Sequence, residues 1–179
     1  MFKKKFTTRD LVFMALLIAL NVILTRYGSL RINFGGVEAV RIGIGALPVI
    51  LTGVFFGPIA GGIVGGIGDV VGFMMFPMGA YMPHFTLSAF LTGFIPGLLL
   101  YQCEKDNLTF PKLILAIGVG QVVTSLLLTP YFQNTLFGIP FAVTIPARLI
   151  SQAINIPLYS LLIKMIALKW NTIFAHNHS

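Results

Sequence analysis

Residues 47–72 read LPVILTGVFFGPIAGGIVGGIGDVVG. The stretch holds one charge, Asp69, and one clear break, Gly57-Pro58. Proline removes a backbone donor and clashes with the preceding helical turn, so the pair predicts a tight turn between two apolar helices. A helix needs roughly 20 apolar residues to cross the hydrocarbon, and both runs approach that length once their apolar flanks are added. The second run carries Gly57, Gly61, Gly62, Gly65, Gly66, Gly68 and Gly72. Gly61/Gly65, Gly62/Gly66 and Gly68/Gly72 are small residues four apart. That spacing lets helix backbones approach closely in a bilayer, where no hydrophobic effect drives helices together. A phosphate-cradling loop does not fit, because no lysine follows the glycines.

The rest of the chain extends this pattern. It has 179 residues, one domain by length, with 56% hydrophobic and only 9% charged residues. Soluble domains carry about a quarter charged residues, so the composition is that of a membrane protein. The expected fold is an all-α integral membrane protein with six transmembrane helices, at 10–28, 39–56, 58–76, 85–102, 112–130 and 144–168. Proline-bracketed residues 76–84, the polar Glu104-Lys105-Asp106-Asn107 and Gly138-Ile139-Pro140 separate the later spans. The basic start and the apolar run to Leu24 lack a small-residue cleavage site and read as a retained first span. The single Cys103 excludes an internal disulfide.

Charge orients the bundle. Lys3, Lys4, Lys5, Lys105, Lys112, Lys164 and Lys169 all fall on one side of six spans. The positive-inside rule makes that side, with both termini, cytoplasmic. The net charge of +7 does not point to nucleic acid, because the lysines cluster at span ends and form no stripe. Arg26, Arg31, Arg41 and Arg148 fall at or near the opposite face, against the rule. Singly each reads as snorkelling toward lipid headgroups. Together they point to an anionic ligand, which guanidinium grips through a fixed fork of donors.

Asp69 is the strongest case of a carboxylate inside a span, where a charge faces a cavity or a partner. It is either a structural hydrogen-bonded carboxylate or the partner of a flat 2-amino-pyrimidinone edge of the pterin type. Tyr81, His84, Phe85, Tyr131, Phe132 and Phe137 gather at the arginine side, as an interfacial aromatic belt or as a clamp on a planar heterocycle. His84 has no histidine, cysteine or glutamate at ligand spacing, so no metal is expected. No nucleotide-binding GxxxxGK[ST] and no hydrolase motif is present, so neither ATP binding nor an enzyme is expected.

An ordered set of stretches carries a resemblance. It comprises Leu24-Thr25-Arg26, Val40-Arg41-Ile42, Leu47 to Pro58, Gly65 to Gly72, Phe76 to Tyr81, Phe85 to Gly93 and Pro146-Ala147-Arg148-Leu149-Ile150. Across all six spans the chain resembles the substrate-binding S components of energy-coupling factor (ECF) vitamin transporters, among them most the folate-specific ones. The resemblance implies a high-affinity vitamin-binding subunit in a bacterial cell membrane. It implies a transmembrane scaffold subunit and two ATP-hydrolysing subunits as partners, which use ATP that this chain does not bind. It also implies that Ala15 and Ala19 dock on the scaffold subunit. On a folate reading, Arg26 and Arg148 hold the glutamate carboxylates and Asp69 pairs with the pterin. Tyr81, His84, Phe85, Tyr131 and Asn134 line the site, with Arg41 and Phe132 in support. Thr129-Pro130-Tyr131-Phe132-Gln133-Asn134 departs from the folate pattern by its proline and its missing tryptophan, which keeps pantothenate- and pyridoxine-type members as alternatives. A stand-alone carrier is the alternative from another class.

Overall fold

A computed structural model describes residues 7–34, 37–77, 81–100 and 109–174. The side chains of residues 26, 29–42, 143 and 170–174 lie outside that description, as does all of Cys103 and its polar linker. The chain runs through helix α1 (Thr8–Tyr27), a hairpin of β1 (Ser29–Phe34) and β2 (Val37–Gly43), and helices α2 (Leu47–Phe56), α3 (Pro58–Met75) and α4 (Pro83–Leu100). After these come α5 (Phe110–Gln121), a π-helical stretch (Val122–Leu128), α6 (Thr129–Phe137) and α7 (Phe141–Phe174). Five helical stretches are long and apolar enough to cross a membrane: α1, α3, α4, the continuous 110–137 rod and α7. The chain is a multi-pass membrane protein.

Two span boundaries differ from expectation, each for a local reason. The second span does not begin at residue 39, because 37–43 pairs with 29–34 in an antiparallel hairpin. Alternating residues in Val37-Glu38-Ala39-Val40-Arg41-Ile42 suit a strand. The membrane-crossing part is helical, as expected, and the hairpin is an addition to the all-α reading. The fifth span does not end at Pro130 but continues to Phe137. Proline clashes with the carbonyl four residues back, and a wider π turn relieves that clash. Residues 122–128 supply it, and the Thr129 hydroxyl donates to Thr124 O at 2.6 Å. The last span is Thr144–Lys169, as expected, within a helix that already begins at Phe141, because Gly138 (φ 67°) turns the chain back at once.

The ten-residue α2 is the centre of the bundle. All its residues from Pro48 to Phe56 are buried. With Val64, Leu113, Ile117 and Ile163 it forms the core. Burial all round suits a helix that is apolar on every face. Gly57 at φ 103° reverses the chain into α3, a conformation that glycine adopts without strain. The expected small-residue packing is present. A Cβ on Gly61 would sit 2.5 Å from Gly53 Cα, and one on Gly53 would collide with Gly93 O of α4. Gly65 lies against Ala89 O, and Gly62 under the Phe90 ring. Glycine at these positions is what lets α2, α3 and α4 meet backbone to backbone.

At about 1.5 Å per residue, α2 rises roughly 15 Å, half of a hydrocarbon core about 30 Å thick. A helix of that length does not cross the core alone, and non-helical backbone beside it is tolerated in a membrane only if protein surrounds it or a cavity adjoins it. Side chains satisfy that backbone. Asn155 Oδ1 accepts from Gly43 N at 3.3 Å, the Tyr159 hydroxyl donates to Gly43 O at 2.6 Å, and Asn21 Nδ2 donates to Gly45 O at 2.8 Å.

Candidate functional site

Helix α7 carries a polar face through an otherwise apolar span. Thr144, Arg148, Gln152, Asn155 and Tyr159 recur at spacings of four, four, three and four, which places them on one side of a helix. Thr144, Gln152, Asn155 and Tyr159 are buried, and Arg148 is half-buried. Amides enclosed in a span are costly unless bonded, so such a stripe needs a polar counterpart. Two protein counterparts are present. At one end, Arg148 NH2 donates to Gln133 Oε1 of α6 at 3.3 Å. At the other, Asn155 and Tyr159 hold the end of β2.

A second polar group stands where α3 meets α4. Asp69 Oδ2 accepts from the Thr86 hydroxyl at 2.8 Å, and Thr86 lies 2.9 Å from the Tyr81 hydroxyl. Thr86 has one proton and gives it to Asp69, so Tyr81 is the donor to Thr86. The Tyr81 ring packs against Phe73 at 5.2 Å. A third set of contacts is aromatic. His84, in the first turn of α4, packs against Phe132 of α6 at 4.9 Å, and Tyr131 meets Phe132 edge-on at 5.9 Å. Phe132 neighbours Gln133, the partner of Arg148, in sequence. Across α3, α4, α6 and α7 these residues offer a carboxylate, hydroxyls, aromatic rings and a guanidinium.

The described contacts thus link Asp69 with Thr86 and Tyr81, His84 with Phe132 and Tyr131, and Arg148 with Gln133. Phe85 follows His84, half-buried in the first turn of α4, where its N–H bonds Met82 O at 3.1 Å. Asn134 Nδ2 donates to Ile139 O at 3.0 Å, which closes the turn between α6 and α7. The side chains of Arg26 and Arg41 lie outside the described residues. Their backbones place Arg26 one residue before the end of α1, and Arg41 on β2 directly across from Arg31. Ala15 and Ala19 lie four residues apart on exposed positions of α1. The open groove along α3 and α4, lined by Gly62, Gly66, Ile67, Val70 and Phe90, is almost wholly apolar and offers no charge to a ligand.

Reading charges alone misses Gln133, Gln152, Asn155, Tyr159 and Asn21. The signal available in the sequence is the 148/152/155/159 spacing, a polar face inside a span.

Comparison with known proteins gives a consistent set. The family model described as the S component of an ECF-type riboflavin transporter matches residues 5–168. The folate transporter FolT of Clostridium novyi is 35% identical over 153 residues, 86% of this chain and 84% of that protein. FolT of Leuconostoc mesenteroides is 24% identical over 122 residues, 68% of this chain and 62% of that protein. The crystal structure of FolT bound with folic acid superposes with a TM-score of 0.77 at 32% identity, covering 92% of this chain and 95% of that one. The S component for biotin from an ECF-type ABC transporter has a TM-score of 0.71 at 17% identity, covering 94% and 95%, a likeness of fold alone.

Proposed function

The chain belongs to the S components of ECF-type transporters, and from that premise we propose that it is the folate-binding subunit of such an importer. It is a transport protein and not an enzyme. The observation that carries the folate reading is the likeness to FolT bound with folic acid over nearly the whole of both chains. The site chemistry supports it. Folate has a flat pterin with an amino edge, a benzoyl ring and glutamate carboxylates. The candidate site offers a carboxylate at Asp69, rings at Tyr81, His84, Phe85, Tyr131 and Phe132, and a guanidinium at Arg148. Arg148 and Arg26 pair with the carboxylates, Asp69 with the amino edge and the aromatic residues with the ring faces. Asn134 shapes the wall by holding the turn before α7, and Arg41 braces the hairpin side.

Lysine placement supports an orientation with both termini in the cytoplasm and the candidate site facing outward, in the membrane of a bacterial cell. Ala15 and Ala19 form the flat surface on which a transmembrane scaffold subunit docks, and two ATP-hydrolysing subunits complete the importer. The test is calorimetric titration of the purified chain in detergent with folic acid, riboflavin and pantothenate. Tight one-to-one folic acid binding without partners or ATP is the expected result. Riboflavin is the second reading, favoured by the matched family model. It has a flat ring but no carboxylate, so tight riboflavin binding without folic acid binding would remove the role given to Arg148.

A further inference from the structure

We propose that Gln152 is a ligand-binding residue: its side-chain oxygen accepts a hydrogen bond from an N–H of the bound vitamin, one helical turn deeper than Arg148. The inference rests on the folate reading above and extends it to a residue on α7 that the charge pattern does not reveal.

Gln152 is 8% exposed, and its Oε1 is enclosed by protein with no hydrogen-bond donor among the described residues. An enclosed carbonyl oxygen without a donor costs about 1–3 kcal/mol, and native proteins rarely leave one so. Three neighbours on this face bond protein atoms: Arg148 donates through Nη2 to Gln133, and Asn155 and Tyr159 bond Gly43. Gln152 thus lies along α7 between the α6 contact and the hairpin contact, with an acceptor that no described donor meets.

The chemistry selects the ligand group. An amide oxygen accepts and cannot donate, so it selects N–H or O–H and rejects a carboxylate. A folate offers more N–H donors than one carboxylate can take. Asp69 can accept two in parallel from the ring edge, and the molecule still has a second amino hydrogen and the N–H of the amine that bridges to the benzoyl ring. The order along α7 is consistent, with carboxylates at the Arg148 turn and a neutral N–H at the deeper turn of Gln152. Occupation of the site would remove the cost of the enclosed oxygen, so the empty protein is prepared for this group.

The test compares wild type, Gln152→Leu and Gln152→Glu by titration with folic acid and by melting of the ligand-free and loaded proteins. Leucine keeps the volume and removes the acceptor. Expected for Gln152→Leu is a ligand-free melting temperature equal to or above that of wild type, with folic acid affinity lower by about tenfold to a hundredfold. Gln152→Glu retains an acceptor oxygen and should bind within a few-fold of wild type. Unchanged folic acid affinity in Gln152→Leu would overturn the assignment and leave Gln152 a residue satisfied by water. Equal loss in both variants, with lowered ligand-free melting, would also overturn it in favour of a packing role. If the wild type itself bound no folic acid, the folate reading would fail and the assignment would fall with it. Wild-type binding alongside an indifferent Gln152→Leu sinks the assignment alone.

Discussion

Arg148 donates to Gln133 across the α6–α7 contact, and it is the proposed anchor for a ligand carboxylate. Replacing it with alanine removes a charged hydrogen bond, worth about 1.5–3 kcal/mol. Folic acid affinity should fall at least about tenfold. Lysine should restore only part of it, because a point charge cannot match the planar fork. Calorimetry on the three proteins checks this. Tyr159 makes a different prediction. Its hydroxyl holds Gly43 O at 2.6 Å, so Tyr159→Phe strands a carbonyl within the bundle. A loss of about 1–3 kcal/mol in stability is expected, seen as a lower melting temperature before any ligand is added. The charged candidates stand out in the sequence because charge in a span is rare. Gln152, Asn155 and Tyr159 are not, because amides and phenols are common in spans. Their importance depends on which backbone groups lie opposite, and that is a fact of tertiary structure.

Among the elements, the glycine-rich α3 is readable in advance. Small residues four apart do predict close packing, and the meeting of Gly53, Gly61 and Gly93 bears that out. Which helices meet there is not in the spacing. Gly53→Ala places a methyl against Gly93 O, a backbone atom with no rotamer to escape into. It should destabilise the bundle by about 1–3 kcal/mol. Gly118→Ala meets nothing within 4 Å and should be tolerated. Thermal melting in detergent separates the pair. The hairpin and the π stretch are harder to read. Residues 37–46 are as apolar as a helix start, and only pairing with 29–34 makes them a strand. Pro130 reads as a stop because a proline normally ends a helix, and the widened turns at 122–128 absorb it instead.

For the whole molecule, five helices long enough to cross and the shorter apolar α2 follow from hydropathy among the described residues, whereas orientation and partners rest on charge and family. Ala15 and Ala19 lie on exposed positions of α1, next to Leu16 (61% exposed) and Leu20 (42% exposed). Ala15→Trp with Ala19→Trp should leave folic acid binding to the isolated chain intact and abolish uptake by the assembled importer. A double variant that still transports would show that α1 does not dock on the scaffold. The brevity of α2 has one more consequence. A solute resting on Gly43 to Ala46 would have only the height of α2, roughly 15 Å, between itself and the turn at Gly57-Pro58.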